Sequence, residues 1–182
     1  MSPTYNKQEF LSHKGTDALE SFIHHLLPKC TGIAKRYCKT DEQASELSKK
    51  CFLFTLNKIL AQKEDDFDDS VFLKQYITCL VQTILTQRTG TLIADTTIVS
   101  VFRNSPQNLF SNSDYYKTLS AEEIISHIRK LNLIQQITFN LIVLDNFSIS
   151  EAADILQHNE LSIKSLIEKA KYNLYTSIKS VV

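Results

Sequence analysis

Residues Leu119 to Leu174 constrain this chain most, because apolar positions, capping residues and a tight turn follow one another there in an order that helices satisfy. Phe147-Ser148-Ile149-Ser150-Glu151-Ala152-Ala153-Asp154-Ile155-Leu156 reads as a short helix, Gln157-His158-Asn159 as a turn, and Glu160 to Leu174 as a longer helix, with one further helix ahead of them. Ala153 is small enough to let the second helix cross close to the first. Ile155, Leu156, Leu161, Leu166, Ala170 and Leu174 recur at helical spacing and are expected to form the buried seam. A pair of this kind presents its second helix to a DNA groove.

The remaining elements read as helices too. The first is expected from about Thr16 to Cys38, with Ala18, Leu19, Phe22, Ile23, Leu26 and Leu27 on one face. A second follows Thr40, whose hydroxyl can cap it while Gln43 reaches back, and runs to about Leu60. An acidic loop, Glu64-Asp65-Asp66-Phe67-Asp68-Asp69, leads to a third helix from Ser70 to Arg88, with Phe72, Tyr76, Cys79, Leu80 and Thr83 inward and Gly90 placed to end it. Ser120 with Glu123 and Ser148 with Glu151 form two capping boxes, and Asn146 stands where a left-handed residue ends a helix. Thr91 to Thr118 is poor in charge, rich in Ser, Thr and Asn, and broken by Ser105-Pro106, so it reads as a linker. Within it, Ile98, Val99, Val101 and Phe102 could form a short strand or a helical extension, and Tyr115-Tyr116 could pack on a domain or stack on a base.

Segment by segment, the C-terminal half resembles the C-terminal domain of extracytoplasmic-function (ECF) sigma factors, the small promoter-recognition subunits of bacterial RNA polymerase. Leu119-Ser120-Ala121-Glu122-Glu123-Ile124-Ile125 is similar to the family's approach helix. Ile128 to Leu131, Gln136, Phe139-Asn140-Leu141, Asp145-Asn146-Phe147-Ser148, Glu151 to Leu156, Ser162 to Ser165 and Lys169-Ala170-Lys171 follow its pattern without a gap. In the N-terminal half, Leu27-Pro28-Lys29 with Ile33-Ala34-Lys35-Arg36-Tyr37 resembles the family's first helix, mid-helix proline included, and Ala44-Ser45-Glu46-Leu47 with Phe52-Leu53 resembles the helix that docks on polymerase.

The resemblance implies an all-α protein of two small helical domains joined by a linker. Residues 10–90 would form the N-terminal sigma domain, facing core polymerase and the minus-10 element, and 91–118 the linker. Residues 119–182 would form a helix-turn-helix, winged-helix-like domain that reads the minus-35 element. Glu46, Leu47, Lys49, Lys50, Phe52 and Leu53 would dock on core RNA polymerase. Asn159, Ser162, Ile163, Lys164 and Ser165 would meet promoter DNA near the start of the recognition helix, and Lys169 and Lys171 would steady its backbone. The resemblance also admits an anti-sigma factor as a partner. No cofactor, membrane or small-molecule substrate is implied.

Charge and certain positions depart from that pattern. DNA binders usually carry a basic excess, yet this chain has 20 basic and 20 acidic residues. Along the recognition helix Lys164, Lys169 and Lys171 oppose Glu160 and Glu168, so isolated DNA binding is expected to be weak. Lys49-Lys50 stands where the family's docking helix carries a Gln-Glu pair. Phe72 stands for its usual Trp, and the basic run that follows, which helps hold melted DNA, shrinks to Arg88. A second reading therefore stays open: a sigma-like protein that kept the fold, lost promoter opening, and regulates transcription through protein contacts.

Other classes find less support. Cys30, Cys38, Cys51 and Cys79 contain no C-x-x-C pair, and Cys30 and Cys38 on one helix would lie roughly 12 Å apart along its axis, so buried free thiols are expected. His24-His25 reads as helix surface rather than a metal site, and the acidic loop lacks the spacing and glycine of an EF-hand. With only Gly15, Gly32 and Gly90, neither a P-loop nor a dinucleotide loop exists, and no nucleophile elbow is present, so no catalysis is expected. No apolar run approaches the roughly 20 residues of a membrane span, and residues 1–7 lack a signal peptide's apolar core, so a cytoplasmic location is expected.

Overall fold

Helix starts in this chain are fixed by polar side chains that satisfy otherwise unpaired backbone N–H groups. The computed structural model describes residues 3–11, 15–63, 66–87 and 119–179, and the chain divides into two compact units, Met1–Gln87 and Arg88–Val182. The fold is all-α, with one small ribbon among the described residues.

The first unit holds β1 (Thr4–Asn6), α1 (Lys7–Leu11), α2 (Gly15–Tyr37), α3 (Asp41–Leu60), β2 (Asp66–Asp68) and α4 (Asp69–Gln87). Thr40 caps α3 by accepting the Gln43 N–H at 3.2 Å, and Gln43 Oε1 in turn accepts the Lys39 N–H at 3.2 Å, one residue earlier than a capping box requires. Pro28 lies inside α2 on an exposed turn, where the Thr31 hydroxyl donates to the Leu27 carbonyl. Helices α2, α3 and α4 enclose a core in which Phe22 is the hub. Its ring centroid lies 4.7 Å from that of Tyr5 and 5.1 Å from that of Phe72, both edge-on, and 5.7 Å and 5.8 Å from those of Phe67 and Phe52.

The ribbon corrects the expectation of helices throughout. β1 pairs antiparallel with β2, Tyr5 opposite Phe67, so the predicted acidic loop is partly a strand. Asp69 closes the same corner: its carboxylate accepts from Tyr5 at 2.8 Å, His25 at 2.9 Å and Lys29 at 3.0 Å. Burial alone would raise the Asp69 pKa, but those three hydrogen bonds and the Lys29 charge outweigh it and hold the carboxyl below its usual range. Lys7, itself buried, donates to the Gln62 carbonyl at 3.0 Å and ties the N-terminal segment to the end of α3.

The second unit holds α5 (Ala121–Lys130), α6 (Leu133–Phe139) running into a π-helical turn (Asn140–Leu144), α7 (Ile149–Leu156) and α8 (Glu160–Lys179). Ser120 and Ser148 form the two expected capping boxes with Glu123 and Glu151. Ahead of the helix-turn-helix there are two helices rather than the expected one, because Leu131 and Asn132 are extended and the Asn132 side chain caps α6 through the Gln135 N–H at 2.9 Å. Asn146 is left-handed at φ 56°, as expected, and the Phe147 N–H returns to the Leu141 carbonyl. The core is largely aliphatic: Ile128, Leu131, Ile167, Ala170, Leu174 and Ile178 cluster with Phe139, and Phe147 is buried as well. No strand occurs between residues 119 and 179, so a wing is not seen among the described residues, whereas the short helix, turn and longer helix follow one another as α7, residues 157–159 and α8.

Candidate nucleic-acid interface

The turn between α7 and α8 is built from three residues with separate tasks. Gln157 adopts the left-handed conformation (φ 54°, ψ 43°), which turns the chain sharply, and the His158 N–H then closes back on the Ala153 carbonyl at 3.0 Å. Asn159 caps α8, its Oδ1 accepting the Ser162 N–H at 2.8 Å. With α7 so held, Ala152, Ala153 and Leu156 are buried.

Helix α8 has two faces. Ile163, Ile167, Ala170, Leu174 and Ile178 step by four, three, four and four residues and all face the core. The opposite stripe is Leu161, Lys164, Ser165, Glu168 and Tyr172, all exposed. Two expectations are corrected here. Ile163 is fully buried and cannot meet DNA, because it is the first core residue of the stripe. Leu161, expected in the seam, is 77% exposed: five residues separate it from Leu166, a step that leaves one helix face.

The other expected DNA-contacting residues lie together around the outer face. Lys164 and Ser165 are exposed, and Ser162, Lys169 and Lys171 are on its flanks. Lys171 pairs with Glu168 at 3.1 Å, so part of its charge is spent within the helix. Glu160 sits in the first turn, where it opposes an incoming phosphate that the helix N-terminus would otherwise attract. Leu161 is an exposed apolar group in the first turn of α8, of the kind that can contact a thymine methyl where a helix enters a major groove. A strict count of three- and four-residue steps along the sequence is the signal that places it outside.

The expected docking residues separate in the same way. Leu47 and Phe52 are 4% and 2% exposed and belong to the core, because α3 buries the stripe Ala44, Leu47, Ser48, Cys51, Phe52, Thr55, Leu56 and Ile59. Glu46, Lys49, Lys50 and Leu53 lie outside that stripe. Phe54 joins them, 61% exposed beside Leu53 at 58%, with Lys58 one turn on. Two adjacent apolar side chains flanked by lysines form a surface that gains from being covered.

Helix α4 offers less. Phe72 is wholly buried in the aromatic core, and the last turn carries no basic residue. Arg88, Gly90, the linker 91–118 and Tyr115-Tyr116 lie outside the described residues. The described residues include no cluster of three or more metal-ligating side chains and no helix long and apolar enough to cross a membrane.

Comparison with known proteins gives a likeness in fold. No protein-family profile and no curated protein matches the chain. The sigma factor RpoE from Bartonella quintana, in co-crystal with the anti-sigma factor NepR, is similar in structure with a TM-score of 0.58, over 90% of this chain and 98% of that one, at 19% sequence identity. The shared feature is a sigma-factor-like fold.

Proposed function

We propose that this chain is an ECF-type sigma factor, which binds core RNA polymerase through the outer face of α3 and directs it to promoters through α8. The observation that carries this reading is the two-faced α8: a continuous core stripe seats it on the rest of the unit, while Leu161, Lys164 and Ser165 project from its first turns where a major groove would lie. Ser162, Lys164 and Ser165 would serve base edges or nearby phosphates, and Lys169 and Lys171 the backbone. Lys49, Lys50, Leu53 and Phe54 would dock, the apolar pair supplying affinity and the lysines meeting acidic groups. An anti-sigma factor is a further proposed partner, since the similar RpoE is seen with one. None of these roles calls for catalysis by the chain itself.

A second reading is favoured by α4. With Phe72 buried and no basic residue in its last turn, α4 carries Lys74 as the one cation among its described residues and presents no Phe72 ring on which a base of melted DNA could stack. A sigma-like regulator that binds polymerase without opening promoters would have such a helix. Transcription in vitro with purified core polymerase, on a library of promoter fragments, separates the two. Specific start sites that depend on the chain are expected. Stable core binding without any initiation would establish the second reading, and neither binding nor initiation would remove both.

A further inference from the structure

Cys51 on α3 and Cys79 on α4 meet across the seam between those helices as free thiols, Cys51 buried and Cys79 reaching solvent. Their side chains lie within reach of each other. Cys51 S–H donates to Thr83 Oγ1 at 3.7 Å, and the Thr83 hydroxyl donates to the Cys79 carbonyl at 2.8 Å, so Thr83 ties the two cysteines' helices together at this seam.

Thr55 adds a buried hydroxyl beside the pair. It is 1% exposed, its hydroxyl has no hydrogen-bond partner in the resting arrangement, and it lies close enough to the Cys79 sulfur to stabilise a thiolate there. The neighbouring Cys51 side chain, with Thr83, Thr55 and the Lys58 charge, outweighs burial and lowers the Cys79 pKa. The Cys79 side chain, with burial, raises that of Cys51. Cys30 provides a contrast in the same unit, since burial pushes its thiol up to about 12.

We propose that Cys51 and Cys79 form a redox-modification site at which a hydroperoxide converts the pair to a disulfide joining α3 to α4. The Cys79 thiolate attacks the peroxide oxygen, the O–O bond breaks, and water or an alcohol leaves with the second oxygen. Cys51 then attacks the sulfenic sulfur of Cys79. The S–O bond breaks, the departing oxygen takes the Cys51 proton and leaves as water, and the S–S bond forms. The two thiols are oxidised by two electrons in all and the peroxide is reduced by two, so the step balances. Cys79 is the attacking residue because it is the accessible, acidified thiol, and Cys51 resolves because it is the neighbour already in contact. The site does not depend on what α3 docks on.

The test uses the full chain, reduced and then freed of added thiol. Hydrogen peroxide treatment, trypsin digestion without reductant and mass spectrometry should show residues 51–58 linked to residues 75–88, with Cys30 and Cys38 still reduced. Before oxidation, iodoacetamide should alkylate Cys79 at neutral pH about tenfold or more faster than Cys30. Cys51→Ser should abolish the link and let a sulfenic-acid trap accumulate on Cys79. The proposal is overturned if the untouched wild-type chain yields no such link, if the bridge forms elsewhere, or if Cys79 reacts no faster than Cys30. The wild-type map needs no variant to fold.

Discussion

The two units are held together by different kinds of interaction. In the first, Phe22 gathers rings that arrive from β1, α3, β2 and α4, and Asp69 is met by side chains from residues 5, 25 and 29. In the second, helix ends are fixed by neighbours three residues away, at Ser120, Asn132, Ser148 and Asn159, and the core is a set of largely aliphatic stripes. One unit is specified by packing between distant segments, the other mainly by local rules. A chain built this way offers surface where local rules set helix phase, as on α8, and conceals surface where distant packing sets it, as at Phe72.

The largest expected effect is at the aromatic hub. Phe22→Ala should destabilise the first unit by about 3–5 kcal/mol and lower amide protection throughout α2, α3 and α4, while α5 to α8 keep theirs. Hydrogen exchange on the full chain measures both. Equal loss in the two units would show that the contrast between them is not energetic.

That contrast also explains what is legible in the sequence. Helices α2, α3, α4, α7 and α8, both capping boxes and the left-handed Asn146 can be read because each is marked by residues within a few turns, whereas the extended Leu131 and Asn132 that part α5 from α6 carry no such mark. The ribbon cannot: three-residue strands carry no alternation long enough to notice, and Thr4 finds Asp68 only through the tertiary fold. At the candidate interface, Lys164 and Ser165 lie on the face that the sequence assigns them, but Ile163 and Leu161 exchange places, because a count that puts residues 161 and 166 on one stripe rotates the start of α8. Leu47 and Phe52 match a docking-helix pattern in sequence, whereas the packing of α3 needs them inside and leaves Phe54 exposed in their stead.

Acid should strike the first unit through Asp69. Its carboxyl is held below the ordinary range, so the stabilisation is complete above the unfolded carboxylate pKa near 3.9, about where free Asp titrates, and is lost as pH falls through the lower folded value. Asp69→Asn should remove on the order of 2 kcal/mol at neutral pH and flatten that acid limb. Denaturation followed at pH 7 and at pH 3 reads both effects. An unchanged acid limb would show that the cluster at Asp69 does not anchor the ribbon.

In the second unit single local devices matter less. Ser148→Ala should cost about 1 kcal/mol by removing the cap of α7, and should leave the first unit's unfolding midpoint where it is. A loss comparable to that at Phe22 would mean that α7 depends on its cap as strongly as the first unit depends on its hub.

The central claim is that the outer face of α8 meets promoter DNA. It is tested most directly by the salt dependence of promoter-fragment binding, using core polymerase assembled with the full chain. Replacing Lys164 and Lys169 together by Ala should weaken binding and lower the slope of log K against log salt by about one unit for each phosphate that is no longer neutralised. Affinity and slope unchanged from wild type, with the helices intact, would contradict it.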